Sequence, residues 1–569
     1  MSHRRAGHRG PGLVAQCLYI VAAFSLLVSG CAPATTAADT PAATATQTPT
    51  QPPTDTPVST PLPGETPNPA TPTPQPETVW IAPYLPVMFQ ESIQLVEGVS
   101  QVDTTEQAAY LVDVGQEQPI SQWVYALVAP FATIPDGVTR EELNSAWQGE
   151  AGGPFGGLPL LMDQDTHDVL NKAWGEPGSQ AVRILPAERL ENYAWDNRPA
   201  WGIVPFEWLN PRWKVLTIDE NSPVRVDFDS VSYPLTMTFS QSPNQDVANK
   251  GASPVQQALP TNREADKLTT VMLTGVTALV RATAETMRRN GAVYPGLQIG
   301  ETLRSADITH VSNEVPFTPD CPFPNPKQPD LVFCSNPDYI ELLTYIGTDV
   351  VELSGDHFGD WGAEAMEYTL NLYEQVGIPY YGGGYTEEEA RQPLLIEHNG
   401  NKLAFIGCNA KGGGYATARG DHPGAVACDY EWMAEEIKRL RGEGYLPIVT
   451  LQHFEYFTYI PQPKLITDFR AVAEAGAAIV SGSQAHQPHG MEFYADGFLH
   501  YGLGNLFFDQ YHMGLPLGQG MLDRHVFYDG RHISSELIGI RFIDYAQSRL
   551  MTAEEKEELL QSVFEASGW

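Results

Sequence analysis

The sequence predicts an α/β protein whose C-terminal half has mostly parallel strands covered by helices. Short apolar runs rich in β-branched residues recur there, helical stretches separate them, and most of them end on a polar residue. Continuous apolar runs that alternate with helices are typical of parallel sheets buried on both faces. The predicted strands cover residues 269–273, 308–311, 349–353, 403–406, 447–451 and 477–480.

Residues 79–262 predict a separate, smaller mixed α/β domain. This segment holds eight of the 11 tryptophans, patches of alternating hydrophobicity and many turn signals, but no acid/base or metal spacing. Three of its runs weakly resemble one lobe of a periplasmic solute-binding protein. Core packing accounts for most of the tryptophans. A ligand cleft lined by Trp201 or Trp208 is the alternative.

The first 31 residues predict an export signal that ends in a lipidation site. Basic residues precede an apolar run at 13–27, and small residues then lead to Cys31, a pattern that resembles a bacterial lipobox. Residues 32–78 are dominated by Pro, Thr, Ala and Gln, so they predict a disordered stalk. We therefore expect an exported protein, held by lipid on the extracytoplasmic face of the membrane.

Charge and cysteine content narrow the choice of partners and compartment. The formal net charge of −36 argues against nucleic acid as a partner, because the two would repel each other. An acidic surface also increases solubility, which is a simpler explanation of the charge. Once Cys17 and Cys31 are set aside, four cysteines remain, an even number that suits an oxidising compartment. Three pairings are open, and loop composition favours Cys321 with Cys334 and Cys408 with Cys428. Four cysteine ligands on one zinc are the alternative, without the usual spacing.

Polar residues at the predicted strand ends indicate a catalytic or metal centre. They are Glu314, Asp356 with His357, His453, His486 and Asn505. Ligands of α/β proteins bind beyond the carboxyl ends of the strands, where loops present side chains from a rigid sheet. Carboxylates and histidines gathered in this way are typical of metal-dependent hydrolases.

The same region resembles the CapA family, named for capsule poly-γ-glutamate synthesis and similar in fold to calcineurin-like metallophosphatases. The resemblance covers residues 269–509 and rests on segments 349–362, 377–384 and 501–509. It implies a metallophosphatase-like sandwich at 267–545. Residues 546–569 add a C-terminal helix, because Thr552 and Glu555 have the spacing of a capping box.

The resemblance also implies site residues, with departures from the family pattern. Glu314, Asp356, His453 and His486 are the implied metal ligands. His357 and Asp356 are the implied catalytic pair, and Glu455, Asn505 and Asp509 support them. Val276 stands where the family has an aspartate, and the Ser483–His486 segment lacks one of its histidines. We therefore expect fewer than two divalent ions (Mn, Zn or Fe).

Two functional classes follow from this sequence. The first is a lipid-anchored CapA-like protein of capsule or exopolymer synthesis, with a metal-dependent hydrolase or transferase site. The second is a non-catalytic lipoprotein that binds or escorts an envelope polymer or a small solute, with the site residues as relics bonded to one another. The substrate, the metal and the oligomeric state are not set by the sequence.

Overall fold

A computed structural model describes residues 77–244, 254–255, 259–411 and 414–569, which belong to one compact unit that spans Pro74–Trp569. The predicted export signal, Cys31 and nearly all of the predicted stalk lie outside the described residues. Among the helices of the described part, we find none with the length and apolar character that a membrane span requires.

The described N-terminal part is built around a mixed sheet. In spatial order the sheet runs β2, β1, β3, β11, β4, β8, β6 and β7, with β9 paired to β4, while β5 and β10 form a separate small pair. The strands are β1 Thr78–Ile81, β2 Ser100–Gln101, β3 Tyr110–Val114, β4 Pro119–Pro130, β5 Gly137–Val138, β6 Leu160–Met162, β7 Val182–Ile184, β8 Trp201–Pro205, β9 Trp213–Val215, β10 Thr217–Ile218 and β11 Thr236–Pro243.

Helices pack on this sheet and bury its aromatic core. The core includes Trp123, Trp147 and Trp201, so packing accounts for these large side chains, whereas Trp208 is 37% exposed. Leu268 and Tyr528 of the C-terminal part join the same core, which fixes the two parts against each other. The helices are α1 Val87–Ser92, α2 Arg140–Trp147, α3 Gln164–Trp174 and α4 Ala187–Asp196.

The C-terminal part contains two larger mixed sheets. Each of the six predicted apolar runs overlaps an observed strand. The strands are β12 Leu268–Leu273, β13 Val276–Thr277, β14 Ile308–Asn313, β15 Val350–Glu352, β16 Tyr380–Tyr381, β17 Gly383–Gly384, β18 Leu394–His398, β19 Asn401–Asn409, β20 Gly424–Ala425, β21 Leu446–Gln452, β22 Ile479–Gly482, β23 Met491–Tyr494, β24 Gly497–His500, β25 Asn505–Phe507, β26 Gln519–Tyr528, β27 Arg531–Phe542 and β28 Ser548–Leu550.

Each of these two sheets combines parallel pairs with antiparallel ones. The first runs β16, β15, β14, β12, β26, β27 and β28, with parallel pairing from β16 to β12 and antiparallel pairing beyond it. The second runs β18, β19, β21, β22, β24 and β23, and its two edge strands pair antiparallel. The molecule is therefore an α/β protein with mixed sheets, and its assignment to the calcineurin-like class stays a prediction.

The two sheets pack face to face and helices cover their outer faces. Val271 and Ile308 of the first sheet share a core with Phe405 and Ile448 of the second. Helices α5, α7 and α8 cover the first sheet, and α10 and α11 cover the second. The helices are α5 Arg281–Asn290, α6 Gly300–Leu303, α7 Ile340–Tyr345, α8 Gly362–Val376, α9 Glu387–Ala390, α10 Tyr430–Gly442, α11 Pro463–Glu474 and α12 Ala553–Ala566.

Candidate functional site

The carboxyl ends of parallel strands from both sheets meet at one end of this sandwich. Glu314 follows β14 directly, Asp356 lies four residues after β15, and Lys411 lies two residues after β19. Gln452 ends β21, and Gln484 lies two residues after β22. Because each of these strands is buried, the sheets fix the position of the first residues in each loop that follows a strand.

Three side chains at this end form a cluster that fits a cation. The ligand atoms of Glu314, Asp356 and His357 all lie within 4.8 Å of one another. Glu314 is only 2% exposed, whereas Asp356 and His357 are half-buried. Two carboxylates and an imidazole are hard and borderline ligands that suit Mn, Fe or Zn.

A lysine ammonium contacts one carboxylate of the cluster. Lys411 Nζ is 2.6 Å from Asp356 Oδ2, and both side chains are largely buried. The lysine therefore supplies a positive charge next to a carboxylate that a cation would also bind. The sequence reasoning missed Lys411, although it follows a buried strand just as the predicted residues do.

Two glutamines close the inner wall of the cluster. Gln452 Nε2 donates to Glu314 Oε1 at 3.3 Å and to Asp356 Oδ1 at 3.2 Å. Gln484 Nε2 donates to Glu314 Oε1 at 3.5 Å, and the two glutamines are hydrogen-bonded to each other. The sequence predicted His453 and His486 as ligands. The side chains that reach the cluster from the same two strand ends are instead the amides of Gln452 and Gln484.

The charges of the cluster are coupled through these contacts. Burial, followed by the Asp356 charge, raises the pKa of Glu314 to about 8. Burial alone would raise the pKa of Asp356 as well, but the Lys411 and His357 charges outweigh it and hold that pKa below its usual value. At neutral pH, Asp356 therefore carries the negative charge of the pair and Glu314 is mostly protonated.

His357 is fixed from behind by a carboxylate and an aromatic ring. Its Nδ1 lies 2.8 Å from Asp360 Oδ2, which also accepts the Phe333 backbone N–H at 2.6 Å. The Phe333 ring lies 4.7 Å from the imidazole. Burial would lower the pKa of His357, but Asp360 together with Glu314 and Asp356 raises it to about 9. At neutral pH the second ring nitrogen therefore carries a proton, which a cation would have to displace before the ring could act as a carboxylate-oriented metal ligand.

The predicted ligand His453 is held away from this cluster. Its Nε2 lies 2.9 Å from Asp468 Oδ2 on α11, and Lys464 and Tyr430 bind the same carboxylate. Burial lowers the pKa of His453 in spite of Asp468. Its Nδ1 is buried and has no hydrogen-bond partner among the described residues. The structure therefore places His357, rather than His453, with Glu314 and Asp356.

The predicted ligand His486 lies beside the cluster but outside it. Its Nδ1 is 2.8 Å from Asn505 Oδ1, and its Nε2 is 3.5 Å from Glu455 Oε1. Burial lowers the pKa of His486, and the charges of Glu455 and Asp356 oppose that shift. Asn505 and Glu455 thus both contact a predicted ligand, and the orienting role that the resemblance implied for them stays a prediction.

Asp509 acts on the cluster through an arginine. It receives two hydrogen bonds from the Arg281 guanidinium and caps the backbone N–H of Ala282 at 3.0 Å. The guanidinium lies 5.0 Å from the Phe333 ring and 4.9 Å from the Phe508 ring. Because Phe333 contacts His357 and Phe508 contacts His486, this ion pair fixes the aromatic support of both histidines.

Two disulfides close loops next to the site. Cys321 is bonded to Cys334 and Cys408 to Cys428, the pairing that loop composition favoured. The first bond closes the loop that carries Phe333. The second joins Cys408, the penultimate residue of β19 and three residues before Lys411, to Cys428, the residue before the N-cap of α10. A four-cysteine zinc site has no place in this arrangement.

The residues present fit one divalent ion but not a pair. Glu314, Asp356 and the second ring nitrogen of His357 would supply three ligands in a partly buried cluster, which leaves positions for substrate or water. A second ion would need a bridging carboxylate. Instead, Val276 is fully buried on β13, and the two glutamines direct N–H donors toward Glu314.

Comparisons with known proteins identify relatives of this region. Residues 270–510 match the family model described as "Bacterial capsule synthesis protein PGA_cap". The capsule biosynthesis protein CapA of Bacillus anthracis is 23% identical over 254 residues, which are 44% of this chain and 62% of that relative. The PGA biosynthesis protein CapA of Bacillus subtilis (strain 168) is 25% identical over 178 residues, which are 31% of this chain and 47% of the relative.

Solved structures with a similar course of the chain include a putative 5′-nucleotidase from Staphylococcus aureus. It shares 10% identity at a TM-score of 0.30, and the match covers 52% of this chain and 58% of that one. The chain spans about three fifths and about half of the two curated CapA relatives. Residues 270–510 are therefore similar to bacterial capsule synthesis proteins of the CapA type.

Proposed function

We propose that this protein works outside the cytoplasm in the synthesis of an anionic capsule-type polymer, as a hydrolase or transferase that uses one divalent cation. The observation that carries the proposal is the cluster of Glu314, Asp356 and His357, with ligand atoms within 4.8 Å of one another at the carboxyl ends of the strands. The match to capsule synthesis proteins over residues 270–510 supports the polymer class.

The cluster residues and their neighbours have separate tasks in this proposal. Glu314, Asp356 and His357 hold the cation, and Asp360 fixes the imidazole. The chemistry that a divalent ion would supply there is polarisation of a phosphoryl or acyl oxygen of the substrate. Lys411 then pairs with an anionic group of the polymer, because binding of the cation to Asp356 frees its ammonium.

The N-terminal sequence supports attachment of this domain to the membrane surface. A lipid on Cys31 would anchor the chain, and the Pro- and Thr-rich segment after it would hold the catalytic part away from the bilayer. The two disulfides are typical of an extracytoplasmic protein, which agrees with this location.

Metal analysis of the purified protein and matched variants tests the catalytic proposal. The wild type incubated with Mn²⁺ or Zn²⁺ should retain about one equivalent, raise its melting temperature and cleave a chromogenic phosphodiester or amide. Glu314→Gln should lose all three effects. Glu364→Gln, which changes an exposed glutamate on α8, should keep them. Cation binding that is unchanged in Glu314→Gln would disprove the site.

A non-catalytic polymer-binding role is the second candidate, and the Lys411–Asp356 ion pair favours it. An ammonium 2.6 Å from Asp356 already supplies the positive charge that a cation would bring. In that case the purified protein would bind neither Mn²⁺ nor Zn²⁺ and would have no hydrolytic activity. It would still bind the polymer, and it would lose that binding in Lys411→Met.

A further inference from the structure

We infer that a second anion-binding site lies in a cleft between the N-terminal part and the second C-terminal sheet. The cleft has a volume of about 760 Å³ and is lined on several sides by arginines, namely Arg212, Arg441 and Arg531. Phe493 and Leu446 form its apolar floor. A cavity of this size falls within the range of small-molecule sites, which extends from about 300 to 1,000 Å³.

The charge of the cleft is opposite to that of the whole chain. The protein carries 69 acidic and 33 basic residues, so an arginine usually finds a carboxylate nearby. Arg212 does so, with its Nε 2.8 Å from Glu191 Oε1. In the described part of the chain, however, no carboxylate forms an ion pair with Arg441 or Arg531. Asp496 also lines the cleft, so three guanidinium charges face two carboxylates, those of Glu191 and Asp496, and the lining carries a net positive charge.

Local structure holds these two arginines at the cleft. The stem of Arg441, the penultimate residue of α10, packs against Gly476, where an added Cβ would lie 3.1 Å from Arg441 Cγ, a tight contact. Arg531 follows the tight turn of Asp529 and Gly530, both with positive φ, and donates to the Glu207 carbonyl at 3.2 Å. Both residues are exposed, so their remaining N–H donors are accessible from solvent.

The cleft is a separate site from the Glu314–Asp356–His357 cluster. It is lined by Leu446, Ala478 and Gly497, which lie at the amino ends of β21, β22 and β24. The cluster lies at the carboxyl ends, beyond Gln452. Six residue steps along β21 separate the two ends, which is about 20 Å. A ligand in the cleft therefore does not occupy the proposed catalytic site.

The chemistry of the cleft selects a ligand with at least two anionic groups on a partly apolar backbone. Guanidinium groups bind carboxylate and phosphate through paired N–H donors, and both groups fit this recognition. Phe493 and Leu446 would contact the methylene groups between the charges. An acidic oligopeptide has this chemistry, whereas a short phosphate chain offers the charges without the methylene groups, and the site would retain such a polymer while its reacting segment lies elsewhere.

Isothermal titration calorimetry of the purified protein tests this site with two probes, tri-L-glutamate and inorganic pyrophosphate. We expect the wild type to bind at least one of them, and the preferred probe identifies the anion. The double variant Arg441→Gln/Arg531→Gln should bind at least about tenfold more weakly, because each lost charge-assisted hydrogen bond costs roughly a factor of ten.

Two controls separate this site from other sources of anion binding. Arg439→Gln alters an arginine of α10 that is neutralised by Glu436 and Glu443, so it should leave the affinity unchanged. Glu314→Gln should also leave the affinity unchanged, even if it abolishes cation binding at the cluster. Absence of binding to the wild type, equal affinity of the double variant, or loss of binding in Glu314→Gln would each overturn the inference.

Discussion

Lys411 Nζ lies 2.6 Å from Asp356 Oδ2, so a lysine and a carboxylate from different strand ends form an ion pair at the centre of the candidate site. The ammonium competes with a divalent ion for the same oxygen. This contact bears on both candidate functions. If a divalent cation binds Asp356, Lys411 is released and can pair with an anionic group of the substrate. Without such a cation, Lys411 must stay with Asp356, because the largely buried carboxylate would otherwise lose its ion-pair partner.

Removal of this ammonium should strengthen cation binding. In Lys411→Met, Asp356 loses its competing partner, and we expect Mn²⁺ affinity to rise by about tenfold, as removal of one nearby unit charge predicts. Calorimetric titration measures this change. Lys438→Met, at an exposed position of α10, is the matched control and should behave like the wild type. Weaker cation binding in Lys411→Met would show that the lysine supports the site.

A carboxylate at position 276 should make folding dependent on a cation. Val276 is fully buried on β13, in register with Ser312 and Asn505, so an aspartate there would be desolvated near the cluster. We expect Val276→Asp to lose about 3 kcal/mol of unfolding free energy and to recover part of it with excess Mn²⁺. Val276→Asn has the same shape without the charge, so Mn²⁺ should not restore its stability. Equal responses of both variants would contradict the prediction.

His453→Ala should reduce stability without affecting cation binding. The substitution removes the imidazole that lies 2.9 Å from the Asp468 carboxylate, which is a cost of about 2 kcal/mol for a hydrogen bond to a charged group. Chemical denaturation measures the free energy, and elemental analysis measures the bound cation. A parallel loss of cation would instead identify the unpartnered Nδ1 of His453 as a ligand.

Stability should fall on the acid side because of a buried histidine away from the cluster. Burial lowers the pKa of His489 from 6.5 to about 4 in the folded state. Below pH 6.5 the unfolded chain therefore binds a proton that the folded chain does not, and the folded state loses about 3 kcal/mol between pH 6.5 and pH 4. Denaturation curves at several pH values measure this slope. His489→Gln should flatten it, and an unchanged slope would assign the acid sensitivity to other groups.

The proposed lipidation of Cys31 makes a prediction about the cellular location of the protein. Cys31→Ser should move the protein from the membrane fraction to the soluble extracytoplasmic fraction, because the stalk alone has no affinity for the bilayer. Cys17→Ser, within the apolar part of the same signal, is the control and should remain membrane-bound. Membrane retention of Cys31→Ser after detergent-phase partitioning would require another anchor.

The order of strands and helices followed from local sequence. The runs around Val271, Val311 and Ile448 became strands because continuous β-branched and aliphatic residues suit a sheet that is buried on both faces. The placement of Glu314 and Asp356 at one edge followed from the same argument. The antiparallel strands β26, β27 and β28 were not predicted, because their pairing depends on the edge that β12 leaves open.

The composition of the centre was decided only by tertiary structure. Sequence reasoning chose the residue types that bind metals, so it selected His453 and His486 and passed over Lys411, Gln452 and Gln484. Which side chain turns inward depends on partners from distant elements: Asp468 of α11 draws His453 away, whereas Asp360 holds His357 in place. The sequence thus determined where the site lies, because strand ends are set locally. Its ligands and charges were set by packing between two sheets, since those contacts join residues far apart in the chain.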